Sequence, residues 1–303
     1  MTDLVVRRLL IDLKTPFPAR WNGGDAFRSA FFNALSMSFP AGEQFFIDSV
    51  RDGLKALPSD RQQVMAREVQ GFIGQEATHR RIHALFNENL KRLGFDNWIE
   101  RNAARRRTAH AGDDLRNQVA ATAATEHFTA IFADWILRHP EALEGTEPRL
   151  RTLWQWHSAE ESEHRNTAFD MYRALGGNHH WRIRVFKYIT LTFLGDVARQ
   201  TVRNLWHDGS LLRWSTWRSG AKLLFARDGM IRGNIGLWRD YLATDFHPSQ
   251  HPADLSQQWL RDNSAQFAVV GGPVGGQVLP FAPFGGEFVV LQQGKRQDLT
   301  PSA

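Results

Sequence analysis

An all-α fold, four long helices in a bundle with a long crossover between the second and third and a helical C-terminal extension, is what this sequence predicts. Three observations carry that expectation. Apolar residues recur at spacings of three and four, proline or glycine punctuates the intervals, and four successive stretches each hold a glutamate where a leucine would continue the apolar stripe.

Pro40 suits a first helical turn, so the first helix is expected to begin there, with Glu43, Ile47, Val50 and Leu54 on one face. The second opens at Pro58-Ser59. In it Met65, Val69, Phe72, Glu76, His79, His83, Phe86 and Leu90 share a face until Gly94 stops it. Residues 94 to 112 form the long crossover. The third helix, 113 to 138, aligns Leu115, Val119, Glu126, Ala130, Ala133 and Leu137 and ends before Pro140. The fourth, 148 to 175, aligns Leu150, Trp154, His157, Glu161, His164, Ala168, Met171 and Leu175 between Pro148 and Gly176-Gly177. Three regions are expected: a bundle over 1-178, a basic, tryptophan-rich helical extension over 179-263, and a Gly/Pro-rich extended or disordered tail over 264-303 with room for one short hairpin. "DFHPSQHP", 245 to 252, is expected to end the helical part, with His247 and His251 packing a turn in preference to recruiting metal.

Composition narrows the chemistry. A chain with 42% hydrophobic and 23% charged residues is a folded globular protein and not a disordered polymer. No run of 18 apolar residues occurs, and Asp3, Arg7, Arg8 and Asp12 interrupt any signal-peptide core, so a cytoplasmic location is expected. The absence of cysteine removes thiolate metal sites and cysteine nucleophiles, which leaves His, Glu and Asp to hold any metal. There is no phosphate-binding glycine loop, no G-x-S-x-G elbow and no flavin fingerprint, so a redox reaction would draw electrons from a separate donor.

An isolated carboxylate buried in a helix stripe costs several kcal/mol unless a positive charge compensates it. Glu43, Glu76-x-x-His79, Glu126 and Glu161-x-x-His164 supply one Glu from each of two helices and a Glu-x-x-His pair from each of the other two. That is the ligand arithmetic of a ferritin-like dinuclear carboxylate centre, and the single long crossover agrees with it. One Glu-x-x-His is a weak signal; two, alternating with single inward glutamates, are specific. The expected cofactor is a pair of metal ions, iron first, with manganese or zinc as alternatives. His157 is added as a seventh ligand because it lies one turn before Glu161. His83 is open between a ligand, a hydrogen-bond partner of a ligand and a core histidine. Glu160, one turn from His164, competes with Glu161, which is preferred because it matches both His164 and His157. Glu163, Glu68 and His127 fall on other faces, as solvated groups or partners of ligands. Gly71 and Gly74, each costly inside a helix, imply close packing or space for oxygen beside Glu76.

The run "HSAEESEH", taken with Glu43, Glu76-x-x-His79 and Glu126, resembles the metal site of the ferritin-like arylamine N-oxygenases, in which an added histidine one turn before the last Glu-x-x-His binds one iron. A longer resemblance, over roughly residues 5 to 252, is to the bacterial family of predicted metal-dependent hydrolases. It rests on "FRSAFFNALSMSFPAGEQFFIDSVRD", "FIGQEATHRRIH", "ATEHFTA", "AEESEHRNTAFDMY" and "DYLATDFHP". That family's name implies hydrolysis. The helix-borne ligand set instead favours oxygen chemistry, because hydrolytic dinuclear sites usually sit on loops at strand ends. The expected function is therefore a dinuclear, oxygen-activating enzyme, a monooxygenase-type oxidoreductase acting on a small apolar or aromatic molecule. The alternative is a metal-dependent hydrolase, and the third reading is metal storage or sensing.

Residues 181 to 240 hold eleven Lys and Arg against four acids, interleaved with Trp181, Trp206, Trp214, Trp217 and Trp238. Such a composition suits peripheral membrane contact through interfacial helices, and equally helices that cap the bundle or form a homodimer. No nucleic-acid-binding module is present, and no nucleic-acid partner is expected.

Overall fold

The computed structural model describes residues 4–110, 112–270, 273–274 and 277–278. Helices dominate these residues, and the fold is all-α. Helix α1, Ala26–Ala56, starts at Asp25, whose carboxylate accepts the Arg28 N–H at 2.8 Å. Pro40 therefore lies inside the helix and does not begin it. The penalty of an interior proline is the lost amide, which leaves the carbonyl four residues back without its donor. Here that carbonyl belongs to Ser36, and Asn87 Nδ2 donates to it at 2.9 Å from the neighbouring helix.

Helix α2, Ser59–Arg92, ends at Leu93, and Gly94 turns the chain with φ 85°. The crossover contains a helix of its own, α3, Trp98–Ala109, capped by Asn97. Helix α4 spans Leu115–Arg138, with Asp114 as its cap. The expected fourth helix is two: α5, Pro148–His164, and α6, Thr167–Ala174. The interruption falls at Arg165, whose guanidinium turns away to the carbonyls of His251 and Pro252. Helices α1 and α2 pack together, as do α4 and α5, with further contacts between α1 and α4 and between α2 and α5.

Beyond this frame, α7, His179–His207, lies along α1 and α4. Asn204 Nδ2 donates to the Ala30 carbonyl at 3.0 Å, Gln200 Oε1 accepts the Ile99 N–H at 3.0 Å, and Phe186 stacks on Phe128. Helix α8, Trp214–Phe225, sets Gly220 against the Phe27 ring. Helix α9 is Ile235–Asp240. The helical part does not end at 245–252, because α10, Asp254–Asp262, follows and packs on α5 and α4 with Ser256 and Leu260 inward, one turn apart. No helix among the described residues is long and apolar enough to cross a membrane.

The start of the expected tail is held in place. Strand β1, Arg7–Leu9, pairs antiparallel with β2, Phe267–Val269, with Arg7 opposite Val269 and Leu9 opposite Phe267. A minimal hairpin follows, β3, Pro273–Val274, against β4, Gln277–Val278. The rest of the tail, 279–303, lies outside the described residues.

Candidate metal centre

Four helices bring the seven ligand-type side chains to one place: Glu43 from α1, Glu76 and His79 from α2, Glu126 from α4, and His157, Glu161 and His164 from α5. None is more than 4% exposed, so none is a solvated surface group. Two groups share His79: in each of Glu76, His79, Glu161 and His164, and Glu43, His79 and His157, one ligand atom per residue lies within 4.8 Å of the others. Glu126 joins through His164, its Oε2 being 3.3 Å from Nε2. His164 Nε2 is also 3.0 Å from Glu76 Oε1 and 3.6 Å from Glu161 Oε2. His157 Nε2 lies 2.7 Å from Glu161 Oε1 and 3.8 Å from Glu43 Oε1.

Apart from His157 Nε2 and Glu161 Oε1, which share a hydrogen bond at 2.7 Å, these atoms approach without satisfying one another. Both oxygens of Glu43, Glu76 and Glu126, Oε2 of Glu161, Nδ1 of His79 and Nε2 of His164 are buried and make no aligned hydrogen bond, although His164 Nε2 and Glu76 Oε1 are close enough for one. Such convergence is what a common point of coordination produces, whereas buried polar atoms elsewhere in proteins are paired. Carboxylate and imidazole donors suit iron, manganese or zinc, so the residues fit a metal.

Without a cation, the site must hold protons instead. Burial, with Glu76 nearby, raises Glu43 well above the carboxylate range; burial also raises Glu76, and Glu126 to about 8. Glu161 goes the other way: burial would raise it, but the imidazoles of His164 and His157 hold it well below. Burial opposes charge on His79 and His164, yet carboxylates override it, Glu160 and Glu161 raising His79 to about 10 and Glu126 and Glu161 raising His164. His157 is brought down to about 4 by burial and then by His79.

The outward nitrogen of each histidine is anchored, which turns the inward one toward the carboxylates. For His157 the chain of donors can be read from one end. The Ser36 carbonyl can only accept, so Asn87 Nδ2 donates to it and Asn87 Oδ1 accepts from the Ser36 hydroxyl at 2.9 Å. Ser36 Oγ must then accept from His83 Nδ1, also at 2.9 Å. His83 Nε2 is left to accept from His157 Nδ1 at 2.7 Å, which turns His157 Nε2 inward to Glu161 Oε1, its hydrogen-bond partner at 2.7 Å, and towards Glu43. His83 is thus placed as the partner of His157, away from the carboxylates. His79 Nε2 donates to Glu160 Oε2 at 2.9 Å and faces Glu161 with Nδ1 at 3.4 Å. Glu160 therefore sits on the far side of His79, where Arg7 Nη1 also holds it at 3.1 Å. His164 Nδ1 meets Gln75 Oε1 at 3.0 Å.

Residues on other faces have other partners. Glu163 binds Arg7 and Gln75, Glu68 accepts from the Thr167 hydroxyl, and His127 meets the Leu237 carbonyl. His247 pairs with Asp170 and His251 with Asp240; neither joins a metal-type cluster among the described residues. Sequence spacing did not single out Arg7, Ser36, Gln75 or Asn87. Gln75 and Asn87 fall beside ligand-bearing turns, but nothing local distinguishes them from surface amides.

The side chains around the centre are aromatic. Trp156 packs edge-on to His79, Phe72 to His164, and half-buried Phe39 touches both His83 and His157. Gly71 and Gly74 leave their space to the N-terminal segment and not to the centre: a Cβ at Gly71 would lie 2.6 Å from Leu4 Cβ, and one at Gly74 would overlap the Val6 side chain.

Among known proteins, no curated protein and no solved structure matches the chain. A family model described as predicted metal-dependent hydrolase matches residues 5–252. That span holds all four helices that contribute to the cluster and every anchor from Arg7 to Asn87, and the chain belongs to the predicted metal-dependent hydrolase family.

Proposed function

We propose that this chain is a metal-dependent hydrolase whose centre holds a pair of cations, with Glu43, Glu76, Glu126, Glu161, His79, His157 and His164 as ligands. One observation carries the reading: buried acceptor atoms from four helices converge with no hydrogen bonds of their own. Hydrolysis is the reaction that the family description names. A pair of cations held by these residues would supply a lowered pKa for bound water and polarisation of the bond under attack. The chain's own residues orient and exclude. Glu160, Gln75 and His83 fix the imidazoles, while Trp156 and Phe72 keep bulk water from His79 and His164. Phe39, half-buried against His83 and His157, offers an apolar wall, so the substrate class is a small apolar or aromatic ester, amide or phosphoester.

A second reading, dioxygen activation on ferrous iron, is favoured by one specific feature. All ligands are borne on helices in the Glu and Glu-x-x-His pattern of ferritin-like di-iron and di-manganese proteins. It requires a separate electron donor. The two readings are separated by loading the metal-free protein anaerobically with zinc, manganese or ferrous iron, counting bound metal, and assaying an ester, amide and phosphoester panel beside an oxygen electrode. The hydrolase reading expects about two metals per chain and turnover without oxygen uptake. Oxygen uptake in proportion to ferrous iron, with no cleavage, would replace it by the second. Iron accumulating far beyond that stoichiometry would replace both by storage. A wild-type chain that retains no metal would end every version of the proposal.

A further inference from the structure

We infer that the N-terminal segment is part of the metal centre: Val5 and Arg7, seated by Leu4 and Val6 and acting through Gln75 and Glu160, determine which nitrogens of His164 and His79 face the cations. This rests on the metal-centre reading above.

The argument begins with Gln75, whose amide has two possible orientations. Its Nε2 lies 3.0 Å from the Val5 carbonyl and 2.8 Å from Glu163 Oε2, and both can only accept. Nε2 is thereby committed to these two groups, so Oε1 points at His164 Nδ1. With a cation bound, the one proton left on His164 would then sit on Nδ1, leaving the Nε2 lone pair toward Glu76, Glu126 and Glu161. Without Val5 and Arg7 the amide is free to turn over. A terminal NH2 facing His164 Nδ1 would draw the proton to Nε2, the nitrogen that has to ligate.

Arg7 acts at a second point. It bridges Glu163, at 2.6 Å from Oε2, and Glu160, at 3.1 Å from Oε1. Glu160 adjoins Glu161 in sequence and is fully buried. Held by Arg7, it accepts from His79 Nε2 and stays out of the cluster, so His79 presents Nδ1. The strand's seat is set by α2 itself. Leu4 and Val6 lie against Gly71 and Gly74, where any side chain would collide, and this puts the Val5 carbonyl over Gln75 between them. Pairing of β1 with β2 holds the strand from the other side. The two glycines in α2, costly to a helix, are accounted for by this close approach.

The test is cobalt(II) titration of the full chain, with affinity from chelator competition and the visible d–d spectrum as a record of coordination geometry. Gln75→Leu removes the acceptor for His164, and Gly74→Val unseats the strand without changing a polar group. Each is expected to weaken cobalt binding about ten- to a hundredfold and to shift the d–d bands. Arg8→Ala, at an exposed neighbour on the same strand, is expected to leave both unchanged. Should Gly74→Val lose helical circular dichroism, Gln75→Glu takes its place. It keeps the side-chain volume but gives Val5 and Glu163 no donor, and it is expected to speed proteolysis near residues 4–9 along with weaker binding. Wild-type affinity and an unshifted spectrum in Gln75→Leu and in the strand variant would overturn this inference. A wild-type chain that binds no cobalt would overturn the metal-centre reading beneath it.

Discussion

Asn87 hydrogen-bonds to Ser36 and not to the centre itself, yet its amide fixes the direction of each hydrogen bond up to His157. The consequence is selective. His157 belongs to the group with Glu43 and His79, and not to the group of Glu76, His79, Glu161 and His164. Replacing His83 by Leu removes the acceptor of His157 Nδ1–H while leaving Gln75 and Glu160 in place. Metal content of His83→Leu, measured after gel filtration, is expected to fall from about two per chain towards one, with the remaining site's affinity near wild type. Glu161→Ala, which removes a carboxylate close to both His157 and His164, is expected to lose both metals. Equal loss in the two variants would mean that His83 supports the whole core and not His157 alone. What spacing made legible at this scale is which side chains gather: Glu43, Glu76, His79, Glu126, His157, Glu161 and His164 all sit at apolar stripe positions and are buried together. What it could not resolve is role. His83 and Glu160 share those faces, and only the partners that fold against them, Ser36 from α1 and Arg7 from β1, decide that they serve the ligands.

Helix boundaries follow the same division between local and distant causes. Gly94, Pro148 and the caps Asp114 and Asn178 are local signals, and helices stop or start at them. Pro40 is also a local signal, and it misleads, because the Asn87 amide on α2 supplies the hydrogen bond that the proline cannot. Arg165, at the break between α5 and α6, likewise finds its partners far along the chain, in the carbonyls at 251 and 252. The pairing of β1 with β2 joins residues near opposite ends of the sequence, for which no periodicity exists. Pro40→Ala separates the two effects of the proline. An amide at position 40 would recapture the Ser36 carbonyl and release Asn87, so the metal-free protein is expected to be at least as heat-stable as wild type while metal affinity drops about tenfold. Calorimetry of the metal-free form and a competitive metal titration check the two halves. A fall in both would show that Pro40 packs α1 and has no separate bearing on His157.

At the scale of the whole molecule, the centre ties stability to pH with a sign that metal reverses. In the metal-free fold Glu43, Glu76 and Glu126 are raised above their ordinary range, Glu126 to about 8, so between about pH 4.5 and their folded values the native state binds more protons than the unfolded chain. His79, at about 10, and His164 are also raised; what they contribute is complete below about pH 6.5 and is lost as pH rises through their folded values. Both kinds of group make the metal-free protein less stable as pH climbs from neutral. His157, lowered to about 4, and Glu161, lowered well below its ordinary range, act oppositely, but the gain from them is already complete by neutral pH. Cations displace the protons that the raised groups hold, so metal binding releases protons and tightens with rising pH. Between pH 6.5 and 9 the Tm of chelator-treated protein is therefore expected to fall, and the increment in Tm on adding metal to widen. Proton release on metal addition in weakly buffered solution should diminish above about pH 8, where Glu126 is already ionised. A pH-independent metal increment in Tm, or metal uptake without proton release, would mean that the buried carboxylates are not where the cations bind.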